Sequence, residues 1–409
     1  MKCRHCKEEL TLPFLDLGSA PPSNAYLSEA ALRAPETWFP LRLLVCQSCW
    51  LVQTEDHAGR EALFTDDYAY FSSFSSSWLL HAQNYVNVMR DRLALGPDSV
   101  VADIAANDGY LLQYVKAAGI PCYGVEPTAS TAAAARAKAI DIVERFFGVA
   151  LADELVQQGK SVDLVAANNV LAHVPDINDF VGGFTRLLKP QGVATFEFPH
   201  LLQMIQHSQF DTAYHEHYSY LSLTAVERIF ATNGLCIFDV EEHPSHGGSL
   251  RVFAQRRDAG VHRCSPAVAR VLAREASAGL TSPAAYSGFQ AQSERVKNDF
   301  IAFLVDAKRQ GKRVAAYGAA AKGNTLINFA GVRADLLAFV ADRNPAKVGK
   351  FMPGSRIPIV GEERLLQDKP DHIVILPWNL TAEIVAQLSY ARKWSASFVT
   401  AVPQMELLD

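Results

Sequence analysis

The sequence predicts an α/β protein in which a small cysteine-rich module precedes two folds of the nucleotide-binding type. Three observations predict this class. Two Cys-x-x-Cys pairs lie within the first 49 residues. From residue 100 onward, short apolar strands alternate with helices, and the same alternation starts again at residue 313. Strands and helices that alternate at this spacing are typical of a doubly wound, mostly parallel sheet.

Length and composition set the number and kind of domains. The chain has 409 residues, more than a single hydrophobic core usually supports. We expect three domains, which cover residues 1–67, 68–262 and 263–409. Hydrophobic residues make up 49% of the chain and charged residues 20%, so the chain has the composition of an ordinary globular protein.

Charge and the first residues argue against several classes of protein. The formal net charge is −5, without the basic excess that nucleic-acid-binding proteins usually have. The chain begins MKCRHC, which lacks the apolar region of a secretory leader. No apolar run reaches the length of about 18 residues that a membrane-spanning helix needs. We therefore expect a cytoplasmic protein that binds neither nucleic acid nor membranes.

The four cysteines of the two pairs, Cys3, Cys6, Cys46 and Cys49, are predicted to bind one Zn²⁺. Each Cys-x-x-Cys turn places two sulfurs on one side of a metal, and two such turns complete a tetrahedron. Because four thiolates leave no open position for substrate or water, we expect a structural metal rather than a catalytic or redox one. His5 lies inside the first pair and is not expected to be a ligand.

Polar residues follow three successive strands of the first nucleotide-type fold. The strand VVADIA leads into a loop that contains Asn107 and Gly109; the second strand ends at Glu126, and the third ends with NNVLAH at His173. The loop is not G-x-G-x-x-G, so the dinucleotide fingerprint is absent. An acid in the position of Glu126 can accept both hydroxyls of a ribose. The alternative is a structural αβ unit in which the acids occur by chance.

The run D-I-x-x-N-D-G, followed by V-E-P and N-N-V-L-A-H, resembles the S-adenosylmethionine-binding core of class I methyltransferases. Over nearly its full length, the chain resembles the sugar C-methyltransferases that act on dTDP-linked 4-keto sugars for antibiotic deoxysugars. That family combines an N-terminal zinc module, a central class I Rossmann-like methyltransferase domain and a C-terminal Rossmann-like α/β domain. The cofactor-binding residues that the resemblance implies are Asp103, Ala105, Asn107, Gly109, Leu112, Glu126, Pro127, Asn168 and Asn169.

Ala105 departs from this pattern, since such loops usually have glycine at the equivalent position. We expect alanine to fit there with a negative φ angle, because a side chain disfavours the left-handed region that glycine adopts freely. The departure bears on how closely the loop approaches its ligand. It does not change the class of cofactor that the remaining loop residues predict.

The segment YHEHY, residues 214–218, has the densest group of reactive side chains in the chain. It is not H-E-x-x-H, so a metalloprotease site is not predicted. If the segment is extended, Tyr214 and Glu216 face one side, while His215 and His217 face the other. The alternative is a polar surface loop or a buried network whose hydrogen bonds are all satisfied.

The resemblance also assigns roles within this segment. Loss of a proton beside the ketone of a 4-keto sugar gives an enolate whose carbon can attack a sulfonium methyl. His217 matches the base of the family, and histidine suits this role since it titrates near neutral pH. We expect Glu216 to hold the tautomer of His217 and Tyr214 to stabilise the enolate oxygen.

Two further segments are expected to face the same cavity. His173, at the end of the third strand, resembles another active-site histidine of the family. Tyr68 and Tyr70 lie in TDDYAYFSSFSSSW, which resembles the substrate-covering segment of the family. We prefer Tyr68 as the catalytic tyrosine and place Tyr70 in substrate binding. Simple aromatic packing between the zinc module and the rest of the protein is the alternative for both.

The second nucleotide-type fold is predicted to hold the nucleotide diphosphate of the substrate. Its loop, YGAAAKGN, consists of small residues that let a phosphate approach the N-terminus of the next helix. It is not a Walker loop. The substrate-binding residues predicted here and in the turn HGGSLR are Ser249, Arg251, Lys322, Asn324 and Asp342. The alternative is a duplicated fold that only packs.

These patterns together predict methyl transfer from S-adenosylmethionine to a carbon, C3 before C5, of a dTDP-linked 4-keto deoxysugar. O- or N-methylation of another small molecule would use the same cofactor but would leave residues 313–409 without a role. A nucleic-acid-binding zinc protein and a non-catalytic scaffold are two more alternatives. The negative net charge argues against a nucleic-acid-binding protein, and the reactive side chains at residues 214–217 argue against a non-catalytic scaffold. The oligomeric state is left open.

Overall fold

The computed structural model describes residues 1–57 and 71–408. Its strands, in chain order, are β1 (Leu12–Ala20), β2 (Phe39–Val45), β3 (Val52–Thr54), β4 (Val101–Ile104), β5 (Cys122–Val125), β6 (Asp141–Val143), β7 (Val162–Asn168), β8 (Leu188–Pro199), β9 (Ser219–Tyr220), β10 (Leu235–His243), β11 (Ser249–Arg256), β12 (Val314–Tyr317), β13 (Val340–Ala341), β14 (Ile359–Val360), β15 (His372–Ile375), β16 (Ser397–Thr400) and β17 (Glu406–Leu408). They form three sheets, one in each predicted part of the chain.

The α-helices lie mostly between the strands of the two larger sheets. They are α1 (Ser76–Arg92), α2 (Leu112–Ala117), α3 (Ala129–Ala137), α4 (Val149–Gln157), α5 (Ile177–Leu187), α6 (Leu201–Gln206), α7 (Leu223–Thr232), α8 (Pro266–Ser277), α9 (Phe289–Arg309), α10 (Ala321–Phe329), α11 (Glu363–Asp368) and α12 (Thr381–Gln387). Among the described residues, no helix has the length and apolar character needed to cross a membrane.

The central sheet has the order β10-β11-β8-β7-β4-β5-β6. The five strands β8, β7, β4, β5 and β6 run parallel to one another. Strands β11 and β10 extend the sheet beyond β8 with antiparallel pairing. Strand β11 is paired on both sides and almost wholly buried, whereas β10 forms the edge. In β11 the burial extends to the polar residues Ser249, Arg251 and Gln255.

The C-terminal sheet has the order β14-β13-β12-β15-β16-β17 and is parallel except for its last strand. The 21-residue helix α9 packs beside it. The same helix reaches the N-terminal sheet, where Phe289 stacks on Phe14 with ring centroids 4.6 Å apart. One apolar core therefore joins the first and last parts of the chain.

The N-terminal sheet has the order β1-β2-β3-β9 and takes its fourth strand from the central part of the chain. Val52 pairs with Tyr220, and Gln53 pairs with Ser219, both antiparallel. This strand addition crosses the expected boundary at residue 67. It also places residues 214–220, which contain the predicted base, beside the cysteine-rich module.

The four cysteines converge as the sequence predicts. Their sulfurs lie within 4.8 Å of one another, with 3.5 Å between Cys3 and Cys49 and 3.4 Å between Cys6 and Cys46. Zinc–sulfur bonds of about 2.3 Å place the sulfurs of a tetrahedral site about 3.8 Å apart, so the cluster fits Zn²⁺. Cys3, Cys46 and Cys49 also belong to the core that contains the central sheet.

We predict that Cys46→Ser removes the metal and that the chain no longer folds into soluble protein. A structural zinc site contributes about 10–16 kcal/mol, as much as the whole stability of a typical domain. Metal content per chain and thermal unfolding measure the effect. Cys264→Ser, which changes an exposed cysteine outside the cluster, is the control. A zinc-free Cys46→Ser protein with unchanged unfolding temperature would contradict the prediction.

Candidate active site

A cavity of about 390 Å³ opens where the three parts of the chain meet. The predicted residues that line it are Ala105, Asn107, Glu126, Pro127, Asn168, Asn169, His173, Tyr214, His217 and Lys322. The carboxyl ends of β4, β5 and β7 form one side, where ligands bind in sheets of this kind. Asn24 from the N-terminal module and residues 320–322 from the C-terminal part complete other walls.

The loop after β4 folds back toward β5 through residues in the left-handed region. The φ angles are +61° at Ala105, +50° at Asn107 and +74° at Gly109. The expectation of a negative φ at Ala105 is therefore wrong. The backbone N–H groups of Ala105 and Ala106 both donate to the Val125 carbonyl, at 2.8 and 3.1 Å, which requires this turn. For an L-residue the conformation costs about 1–2 kcal/mol.

Three residues predicted to bind the cofactor do not line the cavity. They are Asp103, Gly109 and Leu112, which lie behind the cavity wall. The φ angle of Gly109 lies in the left-handed region, and a Cβ atom there would also press on the end of the Ile140 side chain, so glycine is favoured. The Asp103 carboxyl is fully buried and has no hydrogen-bond partner among the described residues. Burial, and then the charge of Glu126, raise the pKa of Asp103 well above the usual range of an aspartate.

Glu126 connects the loop after β4 to the loop after β5. Its carboxylate accepts hydrogen bonds from the backbone N–H groups of Asn107 and Thr128, both at 2.9 Å. Burial raises the pKa of Glu126. Since each carboxylate oxygen can accept more than one hydrogen bond, Glu126 can also meet ligand hydroxyls from the cavity wall.

His217 and His173 lie side by side, with ring centroids 4.6 Å apart. Nδ1 of His217 lies 2.9 Å from the Thr212 carbonyl, and Nδ1 of His173 lies 2.8 Å from the Glu216 carbonyl. Because a carbonyl only accepts, each Nδ1 donates its hydrogen. In the neutral ring, the lone pair is then on Nε2.

Burial keeps both rings neutral. It lowers the pKa of His173 to about 4. Burial, followed by the neighbouring His173, lowers the pKa of His217 well below 6.5. A neutral imidazole with its lone pair on Nε2 can accept a proton, so this pair of rings has the state that a general base requires.

Residues 214–217 form a turn, closed by the bond from the His217 N–H to the Tyr214 carbonyl, 2.9 Å long. The segment is therefore not extended, and Tyr214 and His217 lie on the same side, with ring centroids 3.9 Å apart. The carboxylate of Glu216 points away and accepts from the backbone and side chain of Asn24, at 3.3 and 3.2 Å. The Thr212 carbonyl, not Glu216, is the partner of the His217 ring.

Lys322 faces the cavity from the start of α10. Its Nζ donates to Asn379 Oδ1 at 2.9 Å and lies 4.2 Å from the ring centroid of Trp378. Burial lowers the pKa of Lys322 to about 8, although the charge of Asp211 acts in the opposite direction. The amine is therefore still largely protonated at neutral pH and can bind an anion.

The other substrate residues predicted in the described part of the chain lie behind the cavity walls. Asn324 donates to the Ser23 carbonyl at 2.7 Å, and Asp342 accepts from the Ala319 N–H at 2.7 Å. Ser249 donates to the Ser245 carbonyl at 2.9 Å. Arg251 is buried in an ion pair with Glu197, 2.6 Å apart. Tyr68 and Tyr70 lie outside the described residues.

Several residues that line the cavity were missed in the sequence. Three of them are aromatic and four are polar or charged. They are Trp78, Tyr110, Phe146, Asn24, Thr212, His246 and Lys347. Lys347 lies in the loop after β13, a few residues beyond Asp342, so its position after a strand end was a usable signal. Asn24 lies in an ordinary Pro-rich turn and gave none.

Family models match the chain in three consecutive segments. Residues 3–64 match a zinc binding domain, residues 68–240 a methyltransferase domain, and residues 244–403 a C-methyltransferase C-terminal domain. Two solved structures resemble the central part. They are the magnesium protoporphyrin IX methyltransferase of Synechocystis (17% identity, 44% and 83% of the two chains, TM-score 0.35) and PH0226 of Pyrococcus horikoshii (15%, 46% and 95%, 0.38). Both are too distant to bear on function.

A curated relative matches the whole chain. C-methyltransferase NovU of Streptomyces niveus is 31% identical over 408 residues, which cover 100% of this chain and 97% of the relative. This match confirms the predicted family, with S-adenosylmethionine as methyl donor and zinc at the four cysteines. The chain belongs to the zinc-containing, S-adenosylmethionine-dependent C-methyltransferases.

Proposed function

We propose that this enzyme methylates C3 of a dTDP-linked 4-keto deoxysugar, with His217 as the base. The observation that carries the proposal is the His217 ring itself. It is neutral, its Nδ1 is bound to the Thr212 carbonyl, and it faces the cavity that also contains the cofactor loop. A carbon nucleophile must be made by removal of a proton, and an oriented neutral imidazole suits that step.

The reaction balances as one proton removed and one methyl group added. His217 Nε2 takes the C3 hydrogen as a proton, and the electron pair of that bond moves into an enolate. Tyr214, in contact with the His217 ring, donates to the enolate oxygen. Bound S-adenosylmethionine supplies an electrophilic methyl group. The new carbon–carbon bond would form at C3 as the bond between the methyl carbon and the cofactor sulfur breaks, with S-adenosylhomocysteine as the leaving group and the carbonyl restored.

The nucleotide part of the substrate is assigned to the C-terminal side of the cavity. Lys322 and Lys347 both line this wall, together with the start of α10. Two ammonium groups and the backbone N–H groups of a helix N-terminus can bind a diphosphate. This assignment supports a nucleotide-linked sugar over a free sugar.

Glu126→Ala should weaken binding of S-adenosylmethionine about 10- to 100-fold, because hydrogen bonds to a charged acceptor contribute about 1.5–3 kcal/mol. Glu126→Gln should lose less, since one oxygen remains as an acceptor. Calorimetry measures the dissociation constant, and Glu144→Ala, at an exposed ion pair, is the control. Unchanged affinity of Glu126→Ala would place the ribose elsewhere.

Lys322→Ala should raise KM for the sugar nucleotide far more than KM for the cofactor, because the lost contact is a binding contact. Since the pKa of Lys322 is about 8, kcat/KM should also fall as pH rises through about 8. In Lys322→Arg the guanidinium stays charged, so this fall should disappear. If the pH profiles of kcat/KM for wild type and Lys322→Arg are identical above pH 8, Lys322 does not take part in substrate binding.

His217→Asn should lose activity by about 10²–10⁴-fold or more, while both ligands still bind. Tyr214→Phe should lose less, because the base remains. The same His217→Asn variant should stop exchange of the C3 hydrogen with deuterated water, measured by NMR with a panel of dTDP-linked 4-keto deoxysugars. His207→Asn, at an exposed histidine, is the control. An active His217→Asn enzyme would transfer the role of base to another residue.

A further inference from the structure

We infer that Arg4 and Thr54 of the zinc module are positioning residues for the catalytic base. The inference rests on the proposed role of His217. The backbone at His217 and Tyr218 lies against β3, and the carbonyl of each residue accepts a hydrogen bond from a side chain of the module. The zinc module then has a second task besides stability, namely to fix the backbone that carries the base.

Thr54 binds this backbone at two points. Its Oγ1 donates to the His217 carbonyl at 3.1 Å, and its N–H donates to the Tyr218 carbonyl at 3.2 Å. Thr54 is almost fully buried, so water cannot replace the hydroxyl in this contact. The side-chain contact reaches the base residue itself and is separate from the regular strand pairing between β3 and β9.

Arg4 binds the same segment from the other side. Its Nε donates to the Tyr218 carbonyl at 3.3 Å, and one terminal nitrogen donates to the Thr54 carbonyl at 2.9 Å. The guanidinium carbon lies 4.8 Å from the centroid of the Tyr218 ring. Asp56 completes the set with an ion pair of 2.6 Å. The planar guanidinium thus connects β3 to the residue that follows the base.

The position of Arg4 is set by the metal-binding turn. It follows Cys3 directly, and its backbone N–H donates to Gln53 Oε1 at 2.8 Å. Gln53 Nε2 in turn lies 3.3 Å from the Cys3 sulfur. The first cysteine turn, Gln53, Arg4 and the Tyr218 carbonyl form one continuous chain of contacts. A displaced cysteine turn would therefore displace the base.

The expected signature is a loss in kcat without a loss in binding. Displacement of a reacting group by about 1 Å can cost about 10²-fold in rate. The residues proposed to bind the two ligands lie on other walls of the cavity, so KM for the sugar nucleotide and the affinity for S-adenosylmethionine should change little. A residue that only stabilised the fold would alter the unfolding temperature and leave kcat per folded molecule unchanged.

The test compares full-length zinc-loaded variants with labelled S-adenosylmethionine and dTDP-linked 4-keto deoxysugars. Thr54→Val removes the hydroxyl at nearly constant volume, and Thr54→Ser restores it. Arg4→Met removes the guanidinium. Arg42→Ala is the matched control, since it removes an arginine from the same sheet at an exposed ion pair with Glu55. Zinc content, unfolding temperature and cofactor affinity are measured for each protein.

We expect kcat to fall about 10- to 100-fold in Thr54→Val and Arg4→Met. KM and cofactor affinity should stay within about twofold, with one zinc per chain. Thr54→Ser should recover most of the activity. The inference fails if the kcat of Thr54→Val equals that of Arg42→Ala. Thr54→Val decides the test by itself if Arg4→Met loses zinc. His217→Asn separates the two claims: if it stays active the proposed base is wrong, and if it alone is inactive only the positioning role is wrong.

Discussion

The structure depends on one constraint: the buried, irregular segment at residues 213–218 must find hydrogen-bond partners for its backbone. Buried N–H and carbonyl groups are costly when unpaired, and this segment belongs to no regular strand or helix. Ala172 accepts from Tyr218 on one side, and Thr54 and Arg4 donate on the other. A functional loop in the interior therefore requires neighbours from two other parts of the chain.

This requirement explains why the three sheets meet at one cavity. The Thr325 hydroxyl of α10 donates to the Ala213 carbonyl at 2.8 Å, and Asn24 holds Glu216 from the N-terminal module. The apolar core that contains Tyr220 extends through the N-terminal sheet to the C-terminal one. Each part of the chain thus contributes both packing and polar contacts to the same wall, so the site exists only in the assembled protein.

The sequence could predict those features that depend only on residue type and on spacing along the chain. The cysteine pairs, the alternation of strands and helices, and the placement of Glu126, His173 and Lys322 are of this kind. The partner of His217 was missed because it is a backbone carbonyl, and every residue has one. The left-handed φ of Ala105 was missed because a tertiary contact with Val125 overrides local preference. Family resemblance selected C-methylation over O- or N-methylation.

The bond from His217 to Thr212 has a further consequence. In many enzymes a carboxylate orients the imidazole, and its own ionisation then changes ring basicity and geometry together. A peptide carbonyl has no ionisable proton in the biological range, so the tautomer here is set by the main chain at every pH at which the protein is folded. The pH of the medium can alter whether the ring holds an extra proton, but not which nitrogen is bound to the main chain.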